Sequence, residues 1–204
     1  MDGTLLDLHF DNFFWLEYLP IEYARHHDQE PEQVKEYLLK LMDDAYGTID
    51  WYCLDFWTNK LDLDIISMKR EIDHLIALRP NASEFLSEMH HSDIKVYMIT
   101  NAHHQALELK LEKTKISHYF DELISSHQYG FIKEQQEFWQ RLQKDVQFDP
   151  KRTLFIDDSV DVLDSAAKYG IGHILSIRSP DTKGVSRESC KYPMLDDFSD
   201  IMLG

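Results

Sequence analysis

A chain of 204 residues, 43% of them hydrophobic, can bury one large core or a core carrying a modest insertion. Its 37 acidic residues against 21 basic ones give a formal charge of −16, which disfavours nucleic-acid polymers and anionic membranes as partners. No apolar run reaches the ~18 residues of a membrane span, and Met1-Asp2-Gly3 is not the basic opening of a signal peptide. Cys53 and Cys190 alone form no disulfide framework or metal motif, so a cytoplasmic chain with reduced thiols is expected.

The chain reads as a short polar start, a helical stretch over 9–78 and an alternating remainder. In the helical stretch, Phe10, Phe13, Phe14 and Tyr18 follow helical spacing. Pro31 opens a second helix with Val34, Tyr37, Leu38, Leu41 and Met42 on one face and Gly47 beyond its end. A third presents Trp51, Leu54, Trp57 and Leu61, and a fourth, after Asp64, turns Ile65, Met68, Ile72, Leu75 and Ile76 inward. Such helices can close a bundle.

After Arg79-Pro80 the pattern changes. Asn81 with Glu84 reads as a capping box for a helix ending near His91. Ile94–Ile99 reads as a strand, Gln105–Lys113 as a helix and Leu123–Ser125 as a short strand. A helix with Phe138, Trp139, Leu142 and Val146 follows, then a strand Thr153–Ile156, a helix stopped by Gly170 and a last strand His173–Ile177. This alternation predicts a parallel sheet wrapped by helices, whose site lies at the carboxyl ends of the strands.

Four polar clusters stand out: Asp2-Gly3-Thr4 near the start, Thr100-Asn101 after the strand at Ile99, Lys133 after Ser125-Ser126, and Asp157-Asp158-Ser159 after Ile156. Adjacent carboxylates at the end of an apolar strand repel one another unless a cation lies between them, and Mg²⁺ takes oxygen ligands of this type. Singly, each residue has an ordinary reading: Asp157-Asp158 and Thr100 as helix caps, Lys133 as a surface lysine. Their combination and order carry the signal.

That combination resembles the haloacid dehalogenase (HAD) superfamily, whose motifs run Asp-x-Asp-Gly-Thr, strand-Thr/Ser, Lys, and strand-acidic pair. Here they are matched by Met1–Thr4, Tyr97–Asn101, Lys133 and Leu154–Ser159. The resemblance implies a Rossmann-like parallel α/β core over 1–8 and 79–204, with 9–78 as an inserted helical cap. The longer words Asp2–Leu8, Phe10–Asn12, Asp50–Asp55, Thr100–His103 and Leu154–Ser159 resemble the bacterial GMP/IMP nucleotidase branch, which implies a purine 5′-nucleotide substrate.

The resemblance also implies roles. Asp2 is general acid and base, and its backbone carbonyl is a metal ligand. Asp157 and Asp158 hold Mg²⁺, while Thr100, Asn101 and Lys133 grip the phosphate, Lys133 also easing approach of a carboxylate nucleophile to an anionic substrate. The reaction is covalent, through an aspartyl-phosphate. The family's nucleophile and the apolar strand carrying it would precede Met1. Residues 1–204 are therefore expected to bind substrate without efficient turnover, as a shortened form of an active phosphate-monoester hydrolase.

Two other readings stay open: a non-catalytic nucleotide sensor or interaction module, and a phosphatase for another small phosphorylated metabolite. A receiver domain would need its acidic pair early and has no long helical insertion. A dehalogenase proper would need no metal. Trp15, Trp51, Tyr52 and Trp57 are candidates to stack on a purine, although aromatics at helical spacing usually point inward. The 11 histidines, including the pairs His26-His27, His90-His91 and His103-His104, are expected at the surface, with His103 at the edge of the site.

Overall fold

The computed structural model describes residues 1–202. Its amino-terminal turn is wound tightly. The Met1 carbonyl accepts from the backbone N–H groups of Thr4, Leu5 and Leu6, a geometry that Gly3 permits at φ 67°.

The helical stretch begins with α1 (His9–Phe13), a π-helical turn (Phe14–Tyr18) and α2 (Leu19–His27). The spacing predicted a regular helix here. Pro20 explains the difference, because it has no N–H to donate to the Leu16 carbonyl, so the ladder widens upstream of it. Phe10 and Phe14 are fully buried, each contributing on the order of 1.5–3 kcal/mol by area. Next come α3 (Pro31–Ala45), opened by Pro31 after the extended Glu30, then α4 (Leu54–Leu61) and α5 (Ile65–Glu71). Cys53 caps α4, its Sγ accepting from Phe56 N, and Asp64 caps α5 through Ser67 N. Trp51 lies in a separate 3₁₀ turn rather than on α4, since Cys53 takes an extended conformation.

The stretch leaves and re-enters the remainder of the chain through one neck. Asp7 N donates to Ala77 O, Arg79 N donates to Leu5 O, and Leu6 bridges Leu78 antiparallel. Beyond it lie α6 (Ala82–His90), β1 (Tyr97–Thr100), α7 (His104–Thr114) and β2 (Glu122–Ser125). They are followed by α8 (Gln136–Val146), β3 (Leu154–Asp157), α9 (Val160–Tyr169), β4 (His173–Ile177) and β5 (Met194–Leu195).

Two details differ from expectation. Asn81 forms no capping box: it is left-handed at φ 57°, and its side-chain amide donates to Asp197 instead. The strand expected from Ile94 starts at Tyr97. Ile94 is 50% exposed, and Lys95 and Val96 N are drawn out of pairing by the Asp121 carboxylate.

Every strand pairing is parallel. Among the described residues the strands form two ladders, β1–β2 with Thr100 opposite Ser125, and β3–β4–β5 with Asp157 opposite Ser176. Phe138 and Trp139 of α8 pack with Phe155 and Leu163 behind β3. Phe85, Ile177, Leu195 and Phe198 close the far side. The largest cluster runs from Phe10 and Phe14 of the helical stretch to Met98 of β1 and Leu107 of α7, so it joins the two parts of the chain. No helix among the described residues is long and apolar enough to cross a membrane.

Candidate active site

β1 and β3 deliver their last residues to one place. Thr100 and Asp157 end these strands and are buried, each directed by the alternation of strand side chains. Asp157 has two partners: the Lys133 ammonium at 2.5 Å and the backbone N–H of Ser159 at 3.0 Å. Ser159, not the acidic pair, caps α9. Asp158 meets the amino-terminal turn. Thr4 Oγ1 donates to its Oδ1 at 3.3 Å, and a Cβ on Gly3 would fall 2.5 Å from its Oδ2. Only glycine allows that approach. Burial, then the neighbouring Asp157 charge, pushes the Asp158 acid up to about 6, opposed by the Met1 amino group and Lys133. The Met1 amino group is buried in the same cluster, and burial and Lys133 lower its pKa.

Lys133 is held from several sides. Its backbone N–H donates to Asn101 Oδ1 at 2.9 Å, and its carbonyl accepts from Trp139 Nε1 at 2.8 Å. Burial lowers the ammonium's pKa, but the charge and hydrogen bond of Asp157, joined by Asp158 and Glu134, more than offset it and raise the pKa. The Asn101 side-chain amide donates to Glu134 Oε2 at 2.9 Å, and Tyr52 of the helical stretch donates its hydroxyl to Glu134 Oε1 at 2.9 Å. Thr100 Oγ1 accepts from Ala102 N and Ser125 Oγ donates to Ala102 O, fixing the loop that carries Asn101. Asn101, Lys133 and Asp157 are thus linked by hydrogen bonds, with Asp158 next to Asp157 in sequence and Thr100 holding the loop of Asn101.

Asp2 stands slightly apart. Its carboxylate faces Lys110 of α7 at 2.7 Å. The same ammonium reaches Asp11 Oδ2 at 2.7 Å, and Asp11 Oδ1 accepts from Lys69 at 2.9 Å. Lys69 and Lys110 are only 1% and 2% exposed. Burial would raise the Asp11 acid, but Lys110 and Lys69 hold it well below the usual carboxylate range. The sequence reading missed this quartet. The available signal was that Lys110 follows Ala106 and Leu107 at helical spacing, on the buried face of α7.

For Trp57 the inward, core reading holds, and for His103 the surface reading is corrected. Trp57 is 1% exposed, with its indole N–H donating to Trp51 O, so it has no free face for a ligand; Trp15 packs against it and lines a crevice with Leu38 and Met42. His103 is no surface residue: it is 4% exposed, packed against His104 and His127. Burial, then His104, pushes its pKa down to about 4, against the pull of Asp55.

A parallel α/β core with an acidic pair, a buried lysine and a threonine at adjoining strand ends defines a hydrolase of the HAD type. The chain belongs to the haloacid dehalogenase-like hydrolases, whose family model matches residues 1–170. A curated relative, the GMP/IMP nucleotidase YrfG of Escherichia coli (strain K12), is 37% identical over 198 residues, covering 97% of this chain and 89% of its own. The HAD phosphatase of Thermococcus onnurineus shares the fold at TM-score 0.80 and 18% identity, covering 98% of this chain and 92% of that one. The HAD hydrolase YfnB of Bacillus subtilis, solved bound to magnesium, superposes at TM-score 0.66 and 16% identity, with 98% and 93% coverage.

Proposed function

We propose that this hydrolase is a phosphate-monoester hydrolase for purine 5′-nucleotides, of the GMP/IMP type, and that it uses Mg²⁺ and an aspartyl-phosphate. The observation that carries the reading is the Lys133–Asp157 pair with Asp158 pressed against the Gly3 turn, an anion grip beside an under-neutralised carboxylate pair. The similarity to a GMP/IMP nucleotidase supports the substrate class.

The donor set fits Mg²⁺. Asp157, Asp158 and the Asp2 carbonyl offer only oxygen, and the Asp158 acid, raised by burial and then by the Asp157 charge, adjoins a carboxylate whose repulsion a cation would relieve. Bound there, Mg²⁺ would offset phosphate charge. Lys133, the Thr100 hydroxyl and the Asn101 backbone N–H would grip the phosphate oxygens. Asp2, oriented by Lys110, would hand a proton to the leaving ribose oxygen and later take one from water.

We assign 9–78 as the cap over a core of 1–8 and 79–204. The Leu6–Leu78 neck and the Tyr52–Glu134–Asn101 chain of hydrogen bonds support this. Trp51, half-buried and edge-on to Tyr46, and Tyr52, half-buried and bonded to Glu134, are the aromatics left to face a base. The nucleotide chemistry and the two free thiols suit a reducing cytoplasmic setting.

Calorimetric titration of the 1–204 polypeptide with GMP, IMP, CMP and guanosine, with and without Mg²⁺, tests the reading. GMP and IMP bind more tightly than CMP and guanosine, and Asp158→Asn removes the Mg²⁺ dependence. Equal binding of guanosine and GMP would overturn the assignment.

A further inference from the structure

Away from the phosphate grip, three residues far apart in sequence meet at the seam between the helical stretch and the rest of the chain. Cys53 comes from the cap position of α4, His103 from the loop after β1 and His127 from the turn after β2. One donor atom from each lies within 4.8 Å of the other two. The two imidazoles are poorly provided for. His103 Nδ1 and His127 Nε2 are buried with no hydrogen-bond partner, although His103 itself is 4% exposed. Leaving such nitrogens dry and unpaired is unfavourable. The Cys53 sulfur is a free thiol that accepts one backbone N–H at 3.5 Å. His103 Nε2 faces Asp55 Oδ2 at 3.5 Å, and that carboxylate is 65% exposed.

We propose that Cys53, His103 and His127 form a binding site for a borderline-soft divalent cation of the zinc type, which clasps the helical stretch to the two strand-end loops. Thiolate and imidazole donors select such an ion over Mg²⁺, which takes oxygen. A tetrahedral ion at about 2.0–2.1 Å from nitrogen and about 2.3 Å from sulfur sets these ligand atoms roughly 3.3–3.6 Å apart. The donor atoms lie within 4.8 Å of one another, so they close by at most about 1.5 Å. His103 would bind through Nδ1, leaving Nε2–H to donate to Asp55, the arrangement by which a carboxylate fixes a ligating histidine. The fourth position faces the side where Asp55 is exposed and takes water or that carboxylate. This site shares no residue with the acidic pair, so its test is independent of the nucleotidase reading.

Cobalt(II) titration of the 204-residue chain is the test. One equivalent should bind with a thiolate-to-cobalt charge-transfer band and visible bands of tetrahedral strength, displaced by Zn²⁺ and untouched by excess Mg²⁺. Cys53→Ser abolishes the charge-transfer band, and His103→Gln and His127→Gln each weaken binding by at least about tenfold. Asp55→Asn weakens it by about tenfold. His90→Gln, in a histidine pair elsewhere, changes nothing. Should a variant fail to fold, alkylation of the unmodified chain decides: Zn²⁺ protects Cys53 from iodoacetamide while Cys190 stays reactive. Absence of the charge-transfer band, its persistence in Cys53→Ser, or equal alkylation of Cys53 with and without Zn²⁺ would overturn the proposal.

Discussion

At the scale of single residues, the most consequential group is Asp11. It neutralises two ammonium groups that burial has stripped of water. Asp11→Ala leaves buried Lys69 without its carboxylate partner and Lys110 with Asp2 alone, and should destabilise the fold by about 3–5 kcal/mol in urea melts at neutral pH. The pH dependence has a definite sign. The folded-state acid lies below its unfolded value, so its contribution is complete above the ordinary carboxylate range and is lost as pH falls through the folded pKa. Urea melts from pH 5 towards pH 2 should show the onset of that loss in the wild type, and a flatter profile in Asp11→Asn. The residues proposed to grip phosphate were legible in the sequence because each follows an apolar strand or its loop in a recognisable order. Lys69 and Lys110 were not, because charged neighbours such as Arg70 and Glu71, or Glu108 and Glu112, make their segments look solvated. Only the helical register shows that they turn inward.

At the scale of elements, α8 does more than cover the sheet. Its Trp139 indole N–H serves the Lys133 carbonyl and Ser165 Oγ at once, so the helix sets the height of the lysine. Trp139→Phe keeps much of the apolar bulk and leaves those acceptors short of a donor. It should cost about 1–3 kcal/mol by chemical denaturation, and phosphate affinity measured calorimetrically should fall with it. Long periodic elements such as α3, α7 and α9 could be read directly, including the Gly170 stop. The misreadings came where a tertiary partner outbid a local preference. Asp197 takes the Asn81 amide, Asp121 pulls Lys95 and Val96 N from the strand, and Pro20 widens the helix into a π turn. The two-residue β5 has too few residues to show any period.

At the scale of the molecule, the −16 charge sets a repulsive background. Added salt screens it, the screening length dropping from about 30 Å at 0.01 M to about 8 Å at 0.15 M. The melting temperature should therefore rise between those two conditions in metal-free buffer, measured by scanning calorimetry. A fall would mean that surface ion pairs outweigh the general repulsion. The α/β class followed from the alternation of patterns, because parallel strands need helical crossovers. The division of the strands into two ladders did not follow, since pairing partners are chosen by packing that no local window contains.

The buried quartet of Asp2, Asp11, Lys69 and Lys110 carries a historical consequence. It sums to zero charge, and it is shared between the helical stretch and the elements beside the acidic pair. A lineage that loses one member strands an ion in the interior, so drift at these four positions should proceed by matched exchanges. Among descendants of a common ancestor, acid and base there should vanish together, and a shuffled helical insert should be tolerated only by a recipient whose own half of the ledger balances.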